Sequence, residues 1–216
     1  MSSSNKIDQT DLTFFTNEEG HTLLSRFKST LKDTQLFDVL VGYFRASGFH
    51  QLYDALETIE KIRILVGLNV DRESYDTIQY HQQNGIIDFE SHHRTKKTYQ
   101  QNLKEEIENS EENDNKLEIG VRKFIEFLKA DCPNPEIDKT KDGNGKKLEI
   151  RAYPSKNIHA KVYIGKFKPE DRDYGFVITG SSNFSESGFV ANREFNVELR
   201  SKRDVLFAED QFNTLW

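Results

Sequence analysis

Cysteine is nearly absent from this chain. Cys132 stands alone among 216 residues, which excludes an intrachain disulfide framework. With Pro133 beside it and acidic residues nearby, the thiol reads as incidental rather than catalytic. No grouping of Cys and His has the spacing of a zinc site, so neither a metal nor another cofactor is expected. Long apolar runs are missing too: none approaches the ~20 residues that span a bilayer. The N-terminus, Met1-Ser2-Ser3-Ser4-Asn5-Lys6, lacks the apolar centre of a secretion signal. A soluble cytoplasmic protein with no membrane partner is the expectation. Net positive charge is also lacking. With 36 Asp and Glu against 30 Lys and Arg the formal charge is −6, which argues against a protein that coats nucleic acid non-specifically. A local basic groove stays compatible with that balance.

What the chain does have is a core. Sixteen Phe and eight Tyr suffice to fill an interior and exclude global disorder. The length suits one domain, with room for an insertion. Residues 1–12 are polar and read as a disordered tail. Leu23, Leu24, Phe27 and Leu31 recur at helical spacing, predicting a helix over 20–31. Phe37 to Phe44 reads as a buried strand, Ser47 as the cap of a helix with Phe49, Leu52, Tyr53 and Leu56 on one face, and Ile62 to Val66 as a second strand. A strand–helix–strand run of this length argues for parallel pairing in an α/β sheet.

The middle is different. From Arg72 to about Asn115 the chain is polar, with an acidic run within 103–115, and His92 to Tyr99 forms a small basic patch. Residues 72–132 read as a helical insertion or subdomain, closing on a helix striped by Leu117, Val121, Phe124, Ile125 and Leu128. Asp142-Gly143-Asn144-Gly145 is a turn, after which the period becomes two at Leu148, Ile150 and Ala152. Strands follow over Ile158–Gly165, Gly175–Thr179 and Glu194–Arg200, then a helix from about Arg203 to Leu215.

Three pieces of this C-terminal half carry chemistry. His159 and Lys161 lie two apart, so with Tyr163 they share one face of a strand while Ala160, Val162 and Ile164 share the other. Gly180-Ser181-Ser182-Asn183 follows an apolar strand, where glycine permits close backbone approach and Ser and Asn donate to anionic oxygens. A short helix starting near Ser185 would add its first N–H groups to an anion site. Glu194 is a lone carboxylate within Asn192-Arg193-Glu194-Phe195-Asn196. Taken singly, these are also what a solvated edge strand, a capped turn and a surface acid look like.

In order and spacing, with Glu194 eleven positions after Asn183, the three resemble the motif of the phospholipase D superfamily, most densely over 157–199. The earlier Val41 to Gly48 and Ile64 to Gly67 segments resemble the phospholipase D-like domains at the N-termini of bacterial superfamily 2 helicases. The ending Phe212 to Trp216 is similar to where those domains hand over to the helicase, so a C-terminal helicase continuation is expected. The resemblance implies a phospholipase D-like mixed sheet flanked by helices over 13–216. It implies His159 as a nucleophile forming a phosphohistidine, Lys161 and Asn183 stabilising phosphoryl oxygens with Ser181 assisting, and Glu194 orienting an imidazole. Gly180, Ser182 and, by its position after the first strand, Arg45 are expected at the substrate. One departure stands out: the family pattern places Asp at 166, where this chain has Lys166.

The family's reaction uses a second histidine to protonate the leaving oxygen. His21, His50 and His81 lack a lysine two residues on, and His92-His93-Arg94 has no Gly-Ser-x-Asn after it. One motif per chain therefore implies a homodimer with two His159 residues across one site. The expected activity is a metal-independent phosphodiesterase of the nuclease type, acting on DNA or another nucleic acid in a helicase or restriction system. A non-catalytic module that binds or targets nucleic acid is the alternative, favoured by Lys166 and the net charge. A lipid phospholipase fits less well with a short, single-motif chain.

Overall fold

The computed structural model describes residues 13–18, 20–70, 122–153 and 158–216. The tail 1–12, most of the insertion read over 72–132, its acidic run and the 92–99 patch lie outside the described residues.

The first half follows the predicted order. A short strand, β1 (Phe14–Thr16), precedes helix α1 (Leu23–Thr30), strand β2 (Thr34–Phe44), helix α2 (Ala46–Leu56) and strand β3 (Lys61–Val70). Thr22 starts α1 by accepting the Ser25 N–H at 3.1 Å, satisfying one of the free donors of the first turn. Ser47 does not cap α2. Arg45 holds the cap position, and the Ser47 hydroxyl instead accepts the Glu186 N–H from across the fold.

Residues 122–129 form helix α3, realising the stripe at Phe124, Ile125 and Leu128. A short helix, α4 (Pro135–Thr140), follows; its Asn134 cap and Pro135 start were available in the sequence but not read there. Strands β4 (Leu148–Ala152), β5 (Lys161–Phe167), β6 (Gly175–Gly180) and β7 (Phe195–Leu199) then lead to helix α5 (Lys202–Leu215). β5 begins at Lys161 rather than 158, so His159 stands just ahead of it.

Among the described residues the strands make one mixed sheet in the order β1–β7–β6–β5–β2–β3–β4. β2, β3 and β4 run parallel, as the strand–helix–strand run requires. β5, β6, β7 and β1 pair antiparallel outward from the other edge of β2. Period two assigns each strand's side chains to two cores. Phe37, Val39, Val41, Tyr163 and Ile178 meet α1, α2 and α3 through Phe27, Phe49, Leu52 and Phe124. Leu40, Leu65, Ile164 and Val177 meet α5 through Val205 and Phe212.

Charges are buried with the second core. Arg63 donates to Asp38 twice, from Nε at 2.7 Å and Nη2 at 2.6 Å, and each side chain is 1% exposed. The guanidinium lies 4.8 Å from the Phe212 ring and also donates to Asn213, which fastens α5 to the sheet. Burial pushes the Asp38 carboxyl above its ordinary value, and the pull of Arg63 only partly offsets it. Lys61 is buried between Asp138 and Glu149, joining α4 to β3 and β4. Cys132 is buried, its thiol pushed up by desolvation, in keeping with an incidental role.

A charge left unpaired in such a place costs more than the intact pair contributes. Arg63→Met is expected to lower unfolding free energy by about 3–5 kcal/mol, and Asp38→Leu with Arg63→Met to lose markedly less. Denaturant titrations of the single and double variants measure both; equal losses would show that the partner charge is not the cause.

Candidate phosphodiester site

The site is assembled where β5 begins and β6 ends. The chain enters β5 by passing over two glycines of neighbouring strands. A Cβ on Gly42 would stand 2.7 Å from the Ile158 carbonyl and 3.2 Å from the His159 Cα, and one on Gly67 would stand 2.5 Å from the same carbonyl. Gly42 N–H also donates to Ala160 at 2.9 Å. Glycines in β2 and β3 thus let His159 sit at this height above the sheet.

His159 is exposed and Lys161 is 8% exposed. The Lys161 Nζ lies 3.3 and 3.2 Å from the two His159 ring nitrogens and donates to the His159 carbonyl at 3.1 Å. The predicted facing holds: Tyr163 belongs to the first core with Val41, while Ala160, Val162 and Ile164 belong with the second. Tyr163 was not assigned a role in the sequence, although it continues the His159–Lys161 alternation. Its hydroxyl donates to the Ser182 carbonyl at 2.8 Å, tying β5 to the turn that carries Asn183. Burial raises the Tyr163 hydroxyl well above its ordinary value and the nearby Glu194 charge adds to it, so this phenol stays protonated.

The turn 180–183 divides its labour. Gly180 has no room for a Cβ, which would collide with the Phe195 carbonyl and the Asn196 side chain; here glycine admits a neighbouring strand rather than a ligand. Ser181 is exposed, and its hydroxyl accepts the Phe195 N–H at 3.1 Å, fixing the residue after Glu194. Ser182 is fully buried, its side chain directed into the interior rather than toward a substrate. Asn183 is half-buried, with a side-chain oxygen that has no hydrogen-bond partner. The short helix after Ser185 is a five-residue π-type turn, Ser187–Ala191. The N–H groups of Glu186, Gly188 and Phe189 donate to Ser47, Ser185 Oγ and the Ser185 carbonyl, so they are spent within the protein.

Asn183 and Glu194 line a cleft of about 590 Å³ together with Tyr43 of β2 and Arg45 just after it. Arg45 is fixed there because its N–H donates to the Phe184 carbonyl at 2.9 Å, one residue beyond Asn183. The structure therefore forms two groups: His159 with Lys161, and Asn183 with Glu194 and Arg45. The Tyr163–Ser182 hydrogen bond links them. Asn196, also unassigned in the sequence, is 1% exposed above Gly180 with both side-chain polar atoms unpartnered.

Lys166 faces the other way. It lies on the α5 side, 5.1 Å from the Tyr174 ring, where its charge helps hold the Glu209 carboxylate. Burial raises the Glu209 carboxyl, but Lys141, Lys166 and the Tyr174 hydroxyl outweigh it, and the net direction is down. Among the described residues, no three His, Cys, Asp or Glu side chains converge to hold a metal ion, and no helix is long and apolar enough to cross a membrane.

Residues 132–216 match the family model described as cardiolipin synthase, PLD-like domain. The matched segment contains His159, Lys161, Asn183 and Glu194. No curated protein matches the chain. Among solved structures the chain is similar to Nuc, a phospholipase D family member from Salmonella typhimurium, at 13% identity, with 94% of this chain and 91% of that one covered and a TM-score of 0.46. It is also similar to NucT from Helicobacter pylori, at 13% identity over 89% and 86% with a TM-score of 0.41. A yeast tyrosyl-DNA phosphodiesterase matches at 9% identity over 86% of this chain and 31% of that one, TM-score 0.41. Likenesses this distant leave the chemistry to be argued from the residues.

If the glycine of β2 is what seats His159, then Gly42→Ala is expected to cost about 1–3 kcal/mol through overpacking and to move the His159 ring resonances. NMR of the imidazole with a thermal melt checks it; an unmoved signal in a stable variant would sink this account of the placement.

Proposed function

We propose that this chain is a phosphodiesterase of the phospholipase D superfamily that cleaves nucleic acid through a phosphohistidine. The observation that carries the reading is the contact between the exposed His159 ring and buried Lys161, on a strand that Tyr163 ties to the turn leading to Asn183. A His159 nitrogen attacks phosphorus, an N–P bond forms, and the P–O bond to the leaving alcohol breaks. Water then attacks the phosphohistidine and returns the imidazole. Lys161 and Asn183 donate to the phosphoryl oxygens as charge builds there. Glu194 orients an imidazole.

The leaving oxygen takes its proton from the His159 of a second copy, so the working unit is a homodimer. Association with a helicase or restriction system is the cellular setting of this reading, on the resemblance of the Val41 to Gly48 and Ile64 to Gly67 segments. Cytoplasmic location follows from the same setting.

Cleavage of DNA or RNA oligonucleotides is expected to persist in excess EDTA, to vanish in His159→Ala, and to fall about 10²–10³-fold in Lys161→Met. Sedimentation at assay concentration is expected to give a dimer. Wild type and His159→Ala binding nucleic acid alike, with neither cleaving it, would instead leave a binding module.

Lys166 has no part in this chemistry because it lies on the α5 face. Lys166→Asp, which restores the family residue, is expected to leave cleavage within about twofold and to destabilise by about 1 kcal/mol, since the new carboxylate would meet Glu209. Rates and melts of this variant decide it, and a large gain in rate would reverse the assignment.

A further inference from the structure

We propose that the cleft between Tyr43 and Glu194 is a subsite for a single unpaired nucleobase beside the scissile phosphate, with Tyr43 as its stacking surface. The inference rests on the phosphodiesterase reading and names its substrate class as single-stranded or locally unpaired nucleic acid. The Arg45 guanidinium lies 4.8 Å from the centre of the Tyr43 ring, so a phenol and a planar cation are already layered on one wall. Such a pair offers a flat π surface to any base, whatever its sequence. The cleft, about 590 Å³, has the size of a small-ligand site.

The cleft's position follows from the fold. Arg45 is anchored to Phe184, so the layered pair is held at a fixed place relative to Asn183. Asn183 and Glu194 belong both to this cleft and to the proposed phosphate chemistry, which makes a ligand here contiguous with the reacting phosphate. Charge then selects the part of the ligand that enters. Glu186 and Glu194 line the cleft with Arg45, so it has no excess of positive charge to hold a run of further phosphates, while an uncharged base and sugar meet no such opposition. The Asn192 amide donates to Glu194 at 3.3 Å, which leaves its carbonyl oxygen to meet a base edge. A base inside a duplex is stacked on both faces and paired at its edge, so it reaches such a cleft only when extruded. A strand that is already single presents it freely.

The test compares an oligonucleotide with an abasic oligomer of equal length, using the whole chain. Wild type is expected to favour the base-bearing strand in kcat/KM, mostly through KM, by about 5- to 100-fold, and to cleave it faster than the matching duplex. Tyr43→Ala should bring the base-to-abasic ratio close to one, and Tyr43→Phe should keep it. Should Tyr43→Ala not fold, Tyr43→Leu, which keeps bulk and loses the π face, carries the same comparison. An unchanged ratio in the folded variant, or preference for duplex, overturns the subsite. If wild type cleaves neither strand, the hydrolase reading fails on its own. The subsite then stands or falls on whether the same variants lose the base-dependent part of oligonucleotide binding, read by fluorescence anisotropy.

Discussion

Lys161 carries a positive charge into the margin of an apolar core, and the arrangement of the site follows from that. Its neighbours on the same face of the sheet are Val41 and Tyr163, and beyond them the rings of Phe27 and Phe189. An ammonium held in such surroundings loses several kcal/mol of hydration and stays only where acceptors and nearby solvent meet it. Here the acceptors are the carbonyl and ring of His159, two residues back. The lysine therefore fixes the imidazole as much as the imidazole satisfies the lysine. The ring is left at the surface, with the ammonium within 3.3 Å of both of its nitrogens. The Lys161 carbonyl is occupied as well, accepting the Thr179 hydroxyl at 2.9 Å, so the strand register that sets this height is locked from the neighbouring β6.

The sheet keeps two kinds of charge apart. On the α1–α2 face, Lys161 meets the carbonyl and ring of His159. On the α5 face, buried Asp38 and Arg63 and half-buried Lys141 and Tyr174 form with Glu209 a network that holds the last helix. Side chains one residue apart on a strand fall on opposite faces. Lys166 lies an odd number of positions from His159, Lys161 and Tyr163, so it joins the network under α5. At that position a lysine and Glu209 make an attraction, and an aspartate would need a different partner on the helix. The residue at 166 is thus tied to the identity of α5, an element more than thirty residues further along the chain.

Much of this was legible before any coordinates, and for identifiable reasons. Continuous apolar runs gave β2 and β3, whose side chains fill both cores, and helical spacing gave α1 and α2, each of which buries one face. The parity of His159, Lys161 and Tyr163 fixed their common direction. The division of the turn 180–183 was not legible. Gly180 serves β7, Ser181 ties down Phe195, and Ser182 is buried, because which residue of a turn faces solvent depends on the strand it joins. Ser47 looked like a cap, but its hydroxyl is taken by Glu186, 139 positions away. β1 was missed because three residues carry too little pattern, and it exists by pairing with β7 at the sheet edge. Tyr43 gave no signal beyond its nearness to Arg45; its place beside the cleft is set by the irregular register between Val41 and Tyr43.

The proposed displacement sets a geometric demand on the group that protonates the leaving oxygen. Attack and departure lie on one line through phosphorus, so the group that protonates the leaving oxygen stands across the phosphate from His159. Neither other described histidine is placed for that. His21 precedes α1, its N–H bonded to the Glu18 carbonyl, and His50 lies on α2 with its ring 6.1 Å from that of Tyr53. His159 itself is exposed, so a second copy related by a two-fold axis can present the same imidazole from the far side. Each histidine then attacks in one orientation of the substrate and protonates in the other. On the proposed chemistry, the openness of the site at His159 is a requirement of the mechanism, since a chain that enclosed its own nucleophile would leave no approach for the acid.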